Sequence, residues 1–71
     1  MKEPNILAFV ALKRNRITQQ EIARRCGVSP AVVSQVLNGR ARSRRISMEI
    51  ANATNHTLAE LFPEYENKQL S

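Results

Sequence analysis

The side chains best equipped for specific chemistry are one amide, Gln35, and a cluster of arginines just beyond it: Arg40, Arg42, Arg44 and Arg45. A primary amide offers a donor and an acceptor in one plane, and a guanidinium offers a fixed fork of donors with a permanent charge. Both recognise partners by hydrogen bonding and charge, and neither makes or breaks bonds. Covalent chemistry is poorly provided for. The 71 residues contain no aspartate, one histidine and one cysteine. The glutamates are scattered, with no pair placed for acid–base work, so the chain reads as a non-enzyme. A lone cysteine forms no internal disulfide, and with a lone histidine it builds no zinc site, so no metal or cofactor is expected. Cys26 is expected to be a buried structural thiol and His56 an ordinary loop residue.

The elements that must position these groups lie just before the arginines, in TQQEIARRCGVSPAVVSQVLN, Thr18 to Asn38. Thr18 caps a first helix, Gln19 to Cys26, and Glu21 three residues on completes the pattern of a capping box. Ile22 and Ala23 give that helix an apolar face, and Gly27 ends it by accepting a backbone conformation other residues resist. Ser29 caps a second helix, Pro30 to Leu37, with proline at the first position, where its missing N–H costs nothing. Val33, Val36 and Leu37 recur at helical spacing and turn inward, which leaves Pro30, Ala31, Ser34 and Gln35 outward. Asn38-Gly39 stops the helix, and RARSRR from Arg40 to Arg45 is expected to be a basic loop, with Arg44 and Arg45 either contacting phosphate or anchoring the start of the next helix. Two short helices around a tight turn are the layout of a helix-turn-helix.

Charge supports a polyanionic partner. The chain carries a net charge of +5, and between Lys13 and Arg45 nine basic residues face the single acid Glu21. From Ile46 onward four glutamates oppose one lysine. A basic middle and an acidic end give a polarised molecule with one face suited to a polyanion. Three aromatics (Phe9, Phe62 and Tyr65) are too few for the stacking platforms of single-strand or RNA binders. There is no signal peptide and no apolar run near the ~20 residues of a membrane span, which points to a cytoplasmic protein.

At this length one small domain is expected, with a core shared among about five short helices: an all-α compact bundle over residues 1–63, followed by a polar, frayed tail over 64–71. Asn5 caps a first helix from about Ile6 to Asn15, in which Phe9 and Leu12 are the best core candidates. Ile6, Leu7 and Val10 form a second apolar face, either wrapped by the tail or used for self-association. A later helix from about Ser47 to Thr54 buries Ile46, Ile50 and Ala51. Asn55 tolerates a left-handed turn. Thr57 then caps a short helix, Leu58 to Phe62, which Pro63 stops.

The chain resembles the phage-repressor-like, Cro/C1-type (lambda-repressor-like) helix-turn-helix family. The matching residues are Gln19, Ala23 where the two helices touch, Gly27 in the turn, the apolar Val28, Val33 and Val36, and Asn38-Gly39. The likeness extends more weakly from about Leu12 to Pro63. It departs from the pattern at Thr54, where the family has leucine, and at Asn55, where the family has glycine. The resemblance implies a regulator that binds double-stranded DNA with the helix 30–37 in the major groove. Base reading then falls to Ser29, Pro30, Ala31, Val32, Ser34 and Gln35. Gln35 suits a bidentate contact to adenine, and Ala31 and Val32 suit a thymine methyl. Phosphate contacts fall to Thr18 and Gln19 at a helix N-terminus, and to Asn38, Arg40, Arg42 and Arg44. The family habit is a homodimer on a palindromic site, in the service of transcriptional repression in a phage or mobile element. A second reading keeps the fold and makes it a protein-interaction module, antitoxin-like or an accessory subunit of a recombinase. Neither reading implies a membrane or a small-molecule ligand.

Overall fold

A computed structural model describes residues 4–65. The elements are α1 (Ile6–Arg14), α2 (Gln19–Cys26), α3 (Pro30–Leu37), α4 (Arg44–Ala53), α5 (Leu58–Leu61) and a closing 3-10 turn, Pro63–Tyr65. Among the described residues there is no strand, and the all-α reading holds.

Most helices begin at a residue whose side chain takes the place of a missing backbone acceptor. The Asn5 carboxamide accepts the Ala8 N–H at 3.0 Å, and the Thr18 hydroxyl accepts the Glu21 N–H at 3.1 Å. Two expectations about caps need correcting. Glu21 does not close a capping box with Thr18; its carboxylate is taken up by Arg24 and Arg25 instead. The closed box lies at Thr57 and Glu60, where the Thr57 N–H donates to the Glu60 carboxylate at 2.7 Å and the Glu60 N–H to the Thr57 hydroxyl at 3.1 Å. Ser29 occupies the cap position of α3 with extended backbone, but its hydroxyl makes no capping bond.

Four helices end in one motif, with a residue in the left-handed region just past the helix. Those residues are Arg16 (φ 58°), Gly27 (φ 70°), Gly39 (φ 75°) and Asn55 (φ 63°). After each, the next N–H reaches back to the carbonyl five residues earlier, as from Val28 to Ala23 at 3.0 Å and from Ile17 to Leu12 at 2.9 Å. This Schellman pattern satisfies carbonyls that the helix leaves free. Glycine and asparagine accept the conformation readily. Arginine does not, so Arg16 holds local strain.

α2 packs on α3 and α4, and α4 packs on α1 and α5. Ile22, Val33, Leu37, Ile50 and Phe62 are the large side chains at the centre, with Leu12, Cys26, Ile46 and Leu61 around them. α1 meets this core through Ala8, Ala11 and Leu12 rather than through Phe9 and Leu12. The small alanines let its backbone approach closely, and Phe9 lies half-buried at the flank. Its other face, Ile6, Leu7 and Val10, is exposed.

α4 starts three residues earlier than expected. Ser43 accepts the Ile46 N–H at 3.2 Å and caps it, so Arg44 and Arg45 form its first turn and are not loop residues. Thr54 is buried where the family has leucine, and its hydroxyl is satisfied by the Ile50 carbonyl at 2.8 Å. Asn5 binds three elements together. Beyond capping α1, it donates its own N–H to the Leu37 carbonyl at 2.7 Å and its amide to the Leu61 carbonyl at 2.7 Å. After α5 the chain does not become a polar tail at residue 64. The turn Pro63–Tyr65 folds the half-buried Tyr65 back edge-on against Phe62, with ring centroids 6.4 Å apart. The rest of the expected tail, 66–71, lies outside the described residues.

Candidate nucleic-acid interface

The exposed side of α3 and the segments at either end of it carry most of the site residues named from sequence. Ser29, Pro30, Ala31 and Gln35 are exposed and share the outward side, while Val33, Val36 and Leu37 are buried opposite them. Val32 and Ser34 stand at the border, half-buried. With its hydroxyl unused as a cap, Ser29 keeps a donor and an acceptor for another group. Gln35 is the one long polar side chain of α3. The helix has no charged residue.

The flanking groups are less uniform. Thr18 is exposed, but its hydroxyl is engaged in capping α2; Gln19 beside it is half-buried. The Asn38 amide donates to the Ser34 carbonyl at 2.9 Å and approaches the Ser34 hydroxyl at 3.3 Å, so it is tied to its own helix. Arg40 and Arg42 are exposed in the segment between α3 and α4. Arg44 is exposed at the start of α4, with its guanidinium 6.0 Å from the centre of the Tyr65 ring, within cation–π range. Arg44 and Arg45 therefore stand at the positive end of the α4 dipole, an unfavourable placement that an anion would relieve.

One groove joins α2 to the start of α3. It has a volume of about 410 Å³ and is lined by Gln20, Ala23, Arg24, Val28 and Pro30. Gln20 is a polar group the sequence reading missed. The signal was there in its spacing: Gln20 and Arg24 are four apart and share one face of α2.

Of Arg24 and Arg25 on α2, the sequence suggests one turned toward DNA and the other toward solvent; Arg25 is instead engaged within the protein. It reaches Glu21 at 3.1 Å and Glu49 on α4 at 3.3 Å. The two carboxylates hold the Arg25 pKa above its ordinary value, and the hydrogen bond from Arg25 together with the charge of Arg24 lowers that of Glu21. Arg25 thus links α2 to α4 at the surface. Cys26 is buried as expected, and burial pushes its thiol pKa up, away from the reactive thiolate. His56 is exposed in the turn before α5, with Nδ1 3.3 Å from Glu60. Among the described residues no group of acidic, histidine or cysteine side chains could hold a metal ion. No helix there is long and apolar enough to cross a membrane.

A protein-family model described as helix-turn-helix, of the Cro/C1 type, matches residues 11–61, well over half of the chain. The chain belongs to the Cro/C1-type helix-turn-helix family. The match covers α2, the Gly27 turn, α3, α4 and α5, so the whole support of the exposed α3 side lies within it. Members of this family are DNA-binding regulators. No curated protein and no solved structure matches the chain.

Proposed function

We propose that this DNA-binding regulator is a sequence-specific transcriptional repressor of the phage or mobile-element kind, acting in the cytoplasm as a homodimer on a palindromic site. The observation that carries the reading is the division of α3. One side is wholly buried in the core, and the other presents Ser29, Pro30, Ala31 and Gln35 between two basic or amide-bearing flanks. An α-helix fits the major groove, and its N-terminal part reaches base edges there.

Arg40 and Arg42, with Gln19 at the N-terminus of α2, supply phosphate contacts and most of the affinity. Arg44 joins them only by leaving the Tyr65 ring, and Thr18 contributes through the helix end it caps more than through its hydroxyl. Asn38 fixes the end of α3. Gln35 supplies most of the discrimination by a bidentate amide contact to adenine, and Ala31 and Val32 pack on thymine methyls. Ser29 and Ser34 hydrogen-bond to neighbouring edges, and Pro30 sets where the helix begins. With no arginine on α3, direct reading is sparse and DNA shape adds to it.

Selection of bound duplexes from a random pool, followed by gel-shift titration in rising salt, tests this. A palindromic consensus is expected, with affinity that falls steeply with salt. Binding insensitive to salt, or unaffected by Gln35→Ala combined with Arg40→Ala, would overturn the reading and favour a protein-interaction module.

A further inference from the structure

The exposed face of α1 is unlike the rest of the surface. Large exposed apolar side chains among the described residues are Ile6 (63% exposed), Leu7 (59%), Val10 (46%) and Met48 (40%), and three of these four lie on α1. Ile6 and Val10 are one helical turn apart, and Arg14 continues the same stripe at the next turn, with Lys13 beside it. The N-terminal end of the stripe borders a groove of about 400 Å³ lined by Ile6, Leu7, Pro63 and Glu64 among others. The face is therefore apolar in the middle, acidic beside its first turn and basic at its last.

Such a face is complementary to itself when reversed. In an antiparallel pair, Val10 meets Val10 of the second copy at the axis, and the first turn of each helix meets the last turn of the other. The aliphatic stem of Arg14 then covers Ile6 of the other copy, and its guanidinium reaches the Glu64 side of the groove. A two-fold axis requires this reciprocity of any isologous contact. We propose that the Ile6-Leu7-Val10 face of α1 is the homodimer interface, closed antiparallel with Arg14 of each copy paired to Glu64 of the other.

The proposal deepens the DNA-binding reading and rests on it for the purpose of pairing two recognition helices. The face does not compete with base reading. Asn5, at the head of α1, is bonded to Leu37 on the buried side of α3, whereas Ser29, Pro30, Ala31 and Gln35 lie on its exposed side. Three apolar side chains per copy fall short of the roughly 800 Å² per partner of a standard interface. The dimer is therefore weak in free solution and is completed when two half-sites hold both copies at high local concentration.

Sedimentation equilibrium of the full chain without DNA, across a wide concentration range, tests it directly. A monomer–dimer equilibrium is expected. Val10→Glu should weaken it by about tenfold or more, and Arg14→Glu or Glu64→Arg alone by about fivefold. Arg14→Glu together with Glu64→Arg should restore the dimer, because the pair is exchanged and not lost. All three side chains are exposed, so unchanged circular dichroism is the check that each variant folds.

A chain that stays monomeric throughout and fills two half-sites independently overturns the proposal. So does a double variant that stays as weak as either single one. Loss of thermal stability in Val10→Glu with no change in association shows instead that the chain covers this face itself, and overturns it too. Binding of Val10→Glu to a single half-site separates the two readings: if it is unchanged, DNA recognition stands whatever becomes of the dimer.

Discussion

α3 and the basic segment that follows it differ in two properties that many nucleic-acid-binding surfaces combine, rigidity and charge. α3 is uncharged, half of it is core, and it offers one long polar side chain, Gln35. The segment from Arg40 to Arg45 is irregular until Ser43 and carries four arginines in six residues. The helix holds its exposed groups rigidly because its other side is locked by Val33, Val36 and Leu37. The arginines are exposed and need no such precision, since a phosphate offers charge from many directions. Rigidity and charge are thus separated in sequence by the left-handed Gly39.

The largest effect should come from the buried side of α3. Leu37→Ala removes a fully buried side chain at the centre of the core and should cost about 2–5 kcal/mol. That is enough to unfold much of so small a domain. Thermal denaturation should show it, with affinity lost for every sequence alike. Next, Gln35→Ala should relax discrimination at one base pair by about 1–3 kcal/mol while leaving the salt dependence of binding intact. Arg40→Ala with Arg42→Ala should do the reverse, weakening all sequences together and reducing the salt slope by about two. If the two variants gave the same profile, the division between helix and segment would be wrong.

A smaller change in the opposite direction is expected at Arg16. Arg16→Gly should raise stability by about 1 kcal/mol, because the left-handed backbone costs an arginine but not a glycine. The same substitution removes a positive charge, so melting is measured without DNA. The smallest effect is acid sensitivity. Glu21 is held below its ordinary value by Arg25 and Arg24, and Glu60 by the Thr57 N–H and then by His56. A carboxylate whose pKa is lower folded than unfolded stabilises the fold above its unfolded pKa, and this is lost as pH falls through the folded value. Stability should hold near neutral pH and decline below the ordinary carboxylate value of 4.5. Glu21→Gln should flatten part of that decline and loosen the surface link from α2 to α4.

The fold was legible in sequence where local signals agreed. Thr18, Gly27, Pro30 and Gly39 delimit α2 and α3, and these two helices have the predicted bounds. It was less legible where composition misled. In RARSRR the arginines hide Ser43, whose cap begins α4, because basic residues in a first turn oppose the helix dipole. Along Ile6 to Leu12 every residue is apolar, so periodicity could not show that alanines and not Phe9 would face the core. The turn at Pro63–Tyr65 was invisible locally; only the ring of Phe62 and the guanidinium of Arg44, brought near by folding, give Tyr65 a place. Of the candidate site, the outward side of α3 could be read by geometry. That the Ser29 hydroxyl is unused, that Asn38 is tied to Ser34, and that Gln20 lines the groove depended on three-dimensional neighbours.

Asn5 has one more consequence, and it concerns the order of events. Its amide reaches Leu61 across 56 positions of the chain, and its N–H reaches the last turn of α3. Closing so long a loop costs chain entropy that only a core already gathered can offset. The four helix endings, by contrast, close within six residues and can form early. The Asn5 bonds thus depend on α1, α3 and α5 being assembled together, and slow exchange of the Asn5 amide proton is the expected sign that they are.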